Sequence, residues 1–529
     1  MDFNETIYTD VLVIGSGGAG LCAAISAKLR GADVLVVSKS RRPGRANNTA
    51  ISGGVFAVAT GIKSKDDTQE LHLKDTLVAG RYINRQDMVQ TMIEGAIEQT
   101  HNLELYGVSL QKKGKEGFWV IHVPGHSVPG HLFSKNSFGT DFTIPLSQYA
   151  QNNGIKFVSG VFVERLLLGV NGDIAGALVF RRHNKGLILI RAKAVVIAAG
   201  GAGQIYSRTD NAPGTIGDGY ALAFRLCLPK TLIAYEVFVF RGGAQLFNSR
   251  GDDIALIHGM TDLVSMTRDA LTIAMAKEIR KGRGINGGLL LDLSNIPARK
   301  LERYKRFIPK SVKGRSRFIV SPAVHHCMGG LSVSNRGETV IEGLFAAGEV
   351  NGGVHGANRL GGNALTEAWV YGNITGHLAA QCAKDKKHTV IEENFEEIDK
   401  EIRFDESKKK AFSIQDVRKE LKALMWEKAG IIRTEQILAE VVNDIYNLEK
   451  NLDQSKIGDW KELVQKFEIK NMLLTAEMIA KSALLRKESR GSHFRDDFPN
   501  EGGDYWTRNI MIKPTGCGME LAYLQNNKT

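Results

Sequence analysis

Residues 10–20 read Asp10-Val11-Leu12-Val13-Ile14-Gly15-Ser16-Gly17-Gly18-Ala19-Gly20, and this stretch decides the fold. The nearly continuous apolar run over 9–14 predicts a short buried strand. A glycine cluster follows, Leu21 to Leu29 carries apolar residues at helical spacing, and Gly31 precedes a second buried strand, Asp33 to Val37. A strand–helix–strand unit of about 30 residues with G-x-G-x-x-G at its first turn is the fingerprint of dinucleotide binding. Gly15 permits the tight turn, Gly17 lets backbone approach a pyrophosphate, and Gly20 lets the helix pack close on the strand. The helix start at Gly18 and Ala19 supplies unpaired N–H groups and the positive end of a dipole for the phosphates.

Outward from that unit, Ala194 to Ala199 is another buried strand, ending in Gly200-Gly201, and Gly343 to Ala347 is a third, ending in Gly348-Glu349. Strands that each run into glycine, so far apart in the chain, predict one nucleotide domain assembled from distant segments. The expected organisation is α/β. A Rossmann-like domain spans 1–235 and 325–383, and an α+β capping domain is inserted at 236–324. The insertion carries a helical stretch, Leu263 to Ile279, ended by Gly282-Arg283-Gly284, and a buried strand, Leu289 to Leu293. Residues 384–410 turn to Lys, Glu and Asp and read as a charged, exposed linker. A helical domain follows at 411–490, where Val417, Leu421, Leu424 and Met425, then Ile437, Leu438, Val441 and Ile445, keep helical spacing. The tail is 491–529.

Composition narrows the function classes. With 57 Gly but only 11 Pro in 529 residues, the chain is glycine-rich without being low in complexity. The net charge of +12 favours anionic ligands, but the bases form no single patch and nucleic-acid binding is not expected. Cys22, Cys227, Cys327, Cys382 and Cys517 are widely spaced with no CxxC pair, against a disulfide framework or a zinc or iron–sulfur site within the chain. No apolar stretch reaches the ~18 residues that span a bilayer, and the first strand leaves no room for a signal peptide. A cytoplasmic protein is expected, at most peripheral to a membrane through a partner.

The second strand ends in Ser38-Lys39, where the generic fingerprint has an acid for the ribose hydroxyls. Asn47-Asn48-Thr49-Ala50-Ile51-Ser52-Gly53-Gly54 comes soon after, small and amide side chains beside bare backbone that can lie against a flat ring. Farther on come Ala198-Ala199-Gly200-Gly201, Thr215-Ile216-Gly217-Asp218-Gly219 and Gly343-Leu344-Phe345-Ala346-Ala347-Gly348-Glu349. His355-Gly356-Ala357-Asn358-Arg359-Leu360-Gly361-Gly362-Asn363-Ala364-Leu365 follows, and then Glu488-Ser489-Arg490-Gly491-Ser492-His493-Phe494-Arg495-Asp496-Asp497-Phe498-Pro499. By these motifs, in this order from about residue 9 to 512, the chain resembles the flavoprotein family of succinate dehydrogenase, fumarate reductase and L-aspartate oxidase. Ser-Lys after the second strand is common in that family.

The resemblance implies FAD. Gly15, Gly17, Gly18, Ala19 and Gly20 would hold the pyrophosphate. Ser38, Lys39, Asn47, Asn48, Thr49, Ser52, Gly53 and Gly54 would cover adenosine and flavin. Asp218 and Glu349 would contact sugar and ribityl hydroxyls, Ala364 and Leu365 would offer backbone groups to the ring, and Ala199, Gly200 and Asn363 complete the set. Some members attach a histidine covalently to the flavin; its place, counted back from Gly53-Gly54, is Asn47, which implies noncovalent FAD.

On the substrate side, Arg359 matches the family's carboxylate-binding arginine, and His325, in His325-His326-Cys327-Met328-Gly329-Gly330, its substrate histidine. Two departures stand out. Aligned through Arg268-Asp269, the proton-delivering arginine falls on Ile273, which can carry no proton. The loop that contacts a second carboxylate is missing, because Glu236 to Phe240 runs straight into Arg241-Gly242-Gly243-Ala244. Replacement donors could come from Arg241, Arg268, His326, or the cluster His122, His126 and His131, whose loop spacing is no recognised metal pattern. The expected catalytic set is Arg359, His325, His126 and Arg241, with no metal. The expected activity is hydride transfer between flavin and a small carboxylate, with electrons exchanged with an iron–sulfur or other electron-transfer partner. The alternative is the same flavoprotein scaffold with an unrelated substrate or a purely electron-transferring role. One G-x-G-x-x-G without a second argues against an added nicotinamide domain.

Overall fold

The computed structural model describes residues 3–114, 117–123, 125–226, 244–260, 268–296, 314–393, 395–402, 412–516 and 518–525. Its centre is a seven-stranded sheet. Strand Glu5–Ile14 runs parallel to Val34–Ser38 on one side and to Leu187–Ile197 on the other. Lys156–Ser159 extends the sheet in parallel beyond Val34–Ser38. The far edge of Leu187–Ile197 is shared. Its first half pairs antiparallel with Ile174–Arg181, and its end pairs parallel with Leu344–Ala346. Val161–Leu168 closes that flank, antiparallel to Ile174–Arg181.

Register explains how three distant motifs become one site. Ile14 lies opposite Ile197, and Ile197 opposite Ala346. All three strands therefore end at the same height, and their glycine turns open side by side at the carboxyl edge, where ligands bind in open parallel sheets. The near-continuous apolar runs are explained too. Val11, Leu12, Val13, Val34, Val36 and Val195 are fully buried because the sheet is covered on both faces. On one face helix Gly18–Lys28 packs against helix Asn363–Lys384. The approach is so close that a Cβ on Gly376 would lie 2.1 Å from the Ala23 carbonyl oxygen.

The inserted unit is α+β. Gln245–Phe247, Leu289–Asp292 and Arg317–Val320 form a three-stranded antiparallel sheet. Helix Arg268–Glu278 packs on it over a separate core that includes Leu246, Ile254, Leu271, Ala274 and Leu289. The expected start of that helix, along with Arg241, Cys227, Cys517 and the lysines at 408–410, falls outside the described residues.

The helical domain comprises Ile414–Glu427, Glu435–Asp453 and Trp460–Leu485. Ser413, Thr434 and Asp459 cap these helices, each accepting from an N–H of the first turn. The stretch expected to be an exposed charged linker contains more structure than its charges suggested. Helix Phe395–Ile402 lies within it, and Ile391, Phe395 and Ile402 pack against a core of Phe162, Phe180 and Trp460. Phe395, Ile398 and Ile402 do stand at helical spacing, a short stripe that the surrounding charges outweigh in the reading of this stretch as linker.

The cap is held at one point by a carboxylate. Glu278 is fully buried and accepts from Arg283 Nε at 2.6 Å, from Asn248 at 3.0 Å and meets His258 at 3.1 Å. The Arg283 guanidinium holds this carboxyl at about 2, against the upward pull of burial. The folded value lies below the ordinary 4.5, so the stabilisation is complete above that pH and is lost as the pH falls toward 2. Glu278→Gln is expected to destabilise the cap by about 2 kcal/mol and to flatten the acid limb of its unfolding. Thermal melts from pH 6 down to 3 check this, and equal acid sensitivity in both proteins would refute it.

Candidate functional site

A cavity of about 1370 Å³ opens where the three strand ends meet and continues beneath the inserted domain. The sequence places its first wall. After Ile14 the chain turns at Gly15, whose φ of +117° is open only to glycine, and a Cβ there would lie 2.2 Å from the Ala198 carbonyl oxygen. Gly20 is equally constrained, its missing Cβ falling 2.0 Å from the Gly15 carbonyl oxygen. The helix thus begins with bare N–H groups facing the cavity beside Gly17, Gly18 and Ala19. Thr49 Oγ1 accepts from Gly18 N at 3.1 Å, and Ser16 donates to Ser38 at 2.9 Å, tying the cradle to the neighbouring strand.

Of the residues expected to bind cofactor, Ser38, Lys39, Asn47, Asn48, Thr49, Ser52, Gly53, Ala199, Gly200, Asp218, Glu349, Ala364 and Leu365 also line the cavity. Three of the set do not. Gly20 serves helix packing, as the fingerprint requires. Gly54 makes a turn against Ser134 at φ +65°. Asn363 is buried behind the loop, donating to Thr76 at 2.9 Å and accepting from His72 at 2.8 Å.

Polar groups in the cavity are organised around two acids. Asp218 pairs with Lys39 at 2.5 Å and accepts from Asn471 at 2.9 Å. Lys39 also reaches Glu468 at 3.4 Å, so the helical domain helps position this end of the site. Glu349 accepts from Cys327 N and from Asn48, both at 3.0 Å, and Asn48 Oδ1 accepts from Ala212 N at 2.9 Å. Burial raises the Glu349 carboxyl, with the bonds from Cys327 and Asn48 opposing. Asn211, Asn471 and Glu468 carried no motif in the sequence. They act through contacts that span hundreds of residues, and no local pattern announces them.

Arg359 and His325 meet in the same cavity, as does His326. The Arg359 guanidinium is buried; burial pulls it down to about 10, opposed by Glu349, Glu367 and Asp210. His325 Nδ1 lies 2.7 Å from Asp210 Oδ2. Burial raises the Asp210 carboxyl, but hydrogen bonding and charge from His325 leave it lowered on balance. His326 is held well below its ordinary value by burial and by Arg359, His355 and His325, and is therefore neutral. Its Nε2 has no hydrogen-bond partner among the described residues.

His126 is a correction. It lies outside the cavity wall, its Nε2 at 2.8 Å from the Gly361 carbonyl oxygen and 3.0 Å from His131 Nε2. Burial keeps both rings neutral, His131 at about 3. They brace the loop that carries Arg359 from behind. His122 does reach the cavity and meets the His126 carbonyl oxygen at 2.7 Å. Arg241 and the Arg268 side chain lie outside the described residues. Ile273 faces a second, small cavity with Asp269 and Thr272, while Met275 of the same helix lines the main one.

The residues present fit FAD: a glycine cradle no Cβ could share, a helix N-terminus for phosphates, and buried acids as acceptors for hydroxyls. Fold and site together define a FAD-dependent oxidoreductase. The FAD binding domain family model matches residues 10–365, and the fumarate reductase flavoprotein C-terminal model matches 418–528. An uncharacterised FAD-dependent oxidoreductase of Methanocaldococcus jannaschii is 34% identical over 96% of each chain. A fumarate reductase (CoM/CoB) chain of Methanothermobacter marburgensis is 31% identical, over 96% of this chain and 98% of that one. An E. coli quinol fumarate reductase chain superposes with a TM-score of 0.88 at 26% identity, covering 99% of this chain and 98% of its own. The chain belongs to the succinate dehydrogenase/fumarate reductase flavoprotein family, and FAD is its cofactor. No helix among the described residues is long and apolar enough to cross a membrane.

Gly15→Ala would force a side chain into a left-handed backbone and onto the Ala198 carbonyl, a strain of about 1–3 kcal/mol from the backbone alone. The variant is expected to purify without FAD, read as flavin absorbance per chain. Full flavin content would show that the cradle tolerates the extra carbon.

Proposed function

We propose that this chain moves a hydride between FAD and a carbon near the carboxylate of a small anionic substrate. It would exchange electrons with an iron–sulfur or other electron-transfer partner and reside in the cytoplasm, peripheral to a membrane only through that partner. The observation that carries the reading is the meeting of Arg359, His325 and His326 in the cofactor cavity.

Bound FAD supplies two-electron hydride chemistry at its ring. The chain supplies the rest. Arg359 offers a planar fork that grips a carboxylate through two N–H groups, and its burial strengthens that grip. The ionised Asp210 carboxylate only accepts, so His325 carries its proton on Nδ1 and turns Nε2 to the chemistry. Nε2 is the atom we assign to proton transfer, replacing the arginine that Ile273 displaces. Neutral His326 faces Glu349 with Nδ1 at 3.5 Å and adds no second cation beside Arg359. The cap contributes Met275, Leu291, Leu293, Phe318 and Val320 to the cavity wall.

Asn47 favours noncovalent FAD. Its Oδ1 accepts from Ala50 N at 2.9 Å and caps the helix Asn48–Ile51, and an amide cannot make the histidyl bond. A separate electron carrier is favoured by the cysteines: burial pushes the Cys22 and Cys327 thiols up to about 12, far from the thiolates an iron–sulfur relay needs. A second reading, the same scaffold with an unrelated substrate or a purely electron-transferring role, draws support from Met275, an apolar residue presented to the cavity by the helix that should deliver protons.

Acid precipitation is expected to leave a colourless pellet and all the flavin in solution; a yellow pellet would contradict noncovalent binding. Arg359→Lys should retain FAD but lose turnover at least about 100-fold, because an ammonium cannot replace a bidentate fork. Reoxidation of the reduced flavin by a panel of carboxylates, fumarate included, measures this. Undiminished turnover would remove Arg359 from the site.

A further inference from the structure

The part of the cavity wall that the described residues of the cap supply is apolar, and it is built that way by a sheet. Leu291 and Phe318 are paired across two antiparallel strands of the cap, as are Leu289 and Val320. Side chains alternate along a strand, so Leu291, Phe318 and Val320 share one face. These three, together with Leu293 and with Met275 from the packed helix, line the cofactor cavity. Among the described residues the only polar contribution of the cap to this cavity is Ser321, whose hydroxyl accepts from Arg208 at 2.6 Å. Among the described residues the cavity's other lysines and arginines, Lys39, Arg45 and Lys63, come from the first strands and the loops after them.

We infer that the substrate is a 2-enoic monocarboxylate with an apolar chain, or its saturated counterpart, and not a four-carbon dicarboxylate. This rests on the reading that Arg359 binds a carboxylate beside the flavin. One anionic end is provided for by Arg359. A second carboxylate turned toward the described face of the cap would lie against leucine, phenylalanine, valine and methionine, and burying an ion there without a partner is costly. An alkyl chain in the same place exchanges water for apolar contact and is stabilised.

The reaction balances in either direction. In reduction, the C2=C3 double bond of the acid becomes a single bond with one new C–H bond on each carbon: a hydride arrives at C3, and C2 receives a proton that His325 Nε2 has first taken up from solvent while Nδ1 keeps its own toward Asp210. The two electrons come from the electron-transfer partner through the cofactor. In oxidation the same hydrogens leave, and the partner accepts the electrons.

The test is calorimetric titration of the FAD-loaded, oxidised enzyme with 2-butenoate, 2-hexenoate, 2-octenoate and fumarate. None of these reacts with oxidised flavin, so binding is read without turnover. The dissociation constant is expected to fall by about tenfold with each pair of added methylenes, and fumarate is expected to bind more weakly than 2-hexenoate. Phe318→Lys should abolish the gain with chain length and strengthen fumarate. Arg359→Lys should weaken every acid. Fumarate binding more tightly than 2-hexenoate to the unaltered enzyme would overturn this inference and leave the role of Arg359 intact. If no acid bound at all, the carboxylate reading itself would fall, and this inference with it. The chain-length series needs no variant, so a poorly folded Phe318→Lys protein does not weaken the test.

Discussion

One close approach sets the rest of this structure: the backbone of Gly15 against the carbonyl of Ala198, with no room for a Cβ between them. It is possible only because strands Glu5–Ile14 and Leu187–Ile197 run parallel and in register to their last residues. It fixes the angle at which helix Gly18–Lys28 leaves the sheet, and thereby aims its N–H groups into the cavity. The third strand joins at the same height, placing Glu349 within reach of Asn48, a partner 301 residues away. A site drawn from so many parts of the chain holds its geometry because the sheet beneath it is buried on both sides and the glycine turns at its edge fit too closely to shift, a Cβ on Gly15 or Gly20 finding a carbonyl oxygen within 2.2 Å.

Much of this was legible in the residues. Buried strands that end in glycine have a strong local signature, and the three found here meet as their number and spacing suggested. The amphipathic stripes at Val417, Leu421 and Met425 and at Leu438, Val441 and Ile445 lie in helices with those residues buried. What the sequence hid is long-range or sparse. His325 and Asp210 are 115 residues apart, and nothing near Asp210 marks it. Glu468 and Asn471 lie on an ordinary helix and matter only because that helix packs against the cofactor domain. The histidine cluster misled in the opposite way. Three histidines in one loop suggest chemistry, but His126 and His131 each turn Nε2 to the Gly361 carbonyl.

The same histidines show how the site separates charge from support. Burial keeps His126, His131 and His326 neutral, so that Arg359 is not surrounded by competing cations. Each of the acids nearby is engaged. Asp210 is engaged by His325, Glu367 by His355 at 2.9 Å, and Glu349 by backbone and amide donors. A cation this deeply buried keeps its proton at neutral pH, since burial brings it down only to about 10. A carboxylate arriving as proposed would find a fixed positive charge whose desolvation has already been met by folding, which is the condition for strong electrostatic selection.

The cap adds a constraint of a different kind. Leu291, Leu293 and Met275 belong both to its hydrophobic core and to the wall of the cavity. A polar residue at any of them would weaken the unit that closes the site, so an acceptor for a second charged group cannot be introduced there by simple substitution. Phe318 and Val320 lie on the neighbouring strand, only partly buried, and are free of much of that conflict. On the proposed reading, polarity at the far end of the substrate can change at these two positions, while the core leucines hold the face apolar for reasons of stability. Substrate choice and cap integrity would then be coupled through the same few side chains, a change in one being felt in the other.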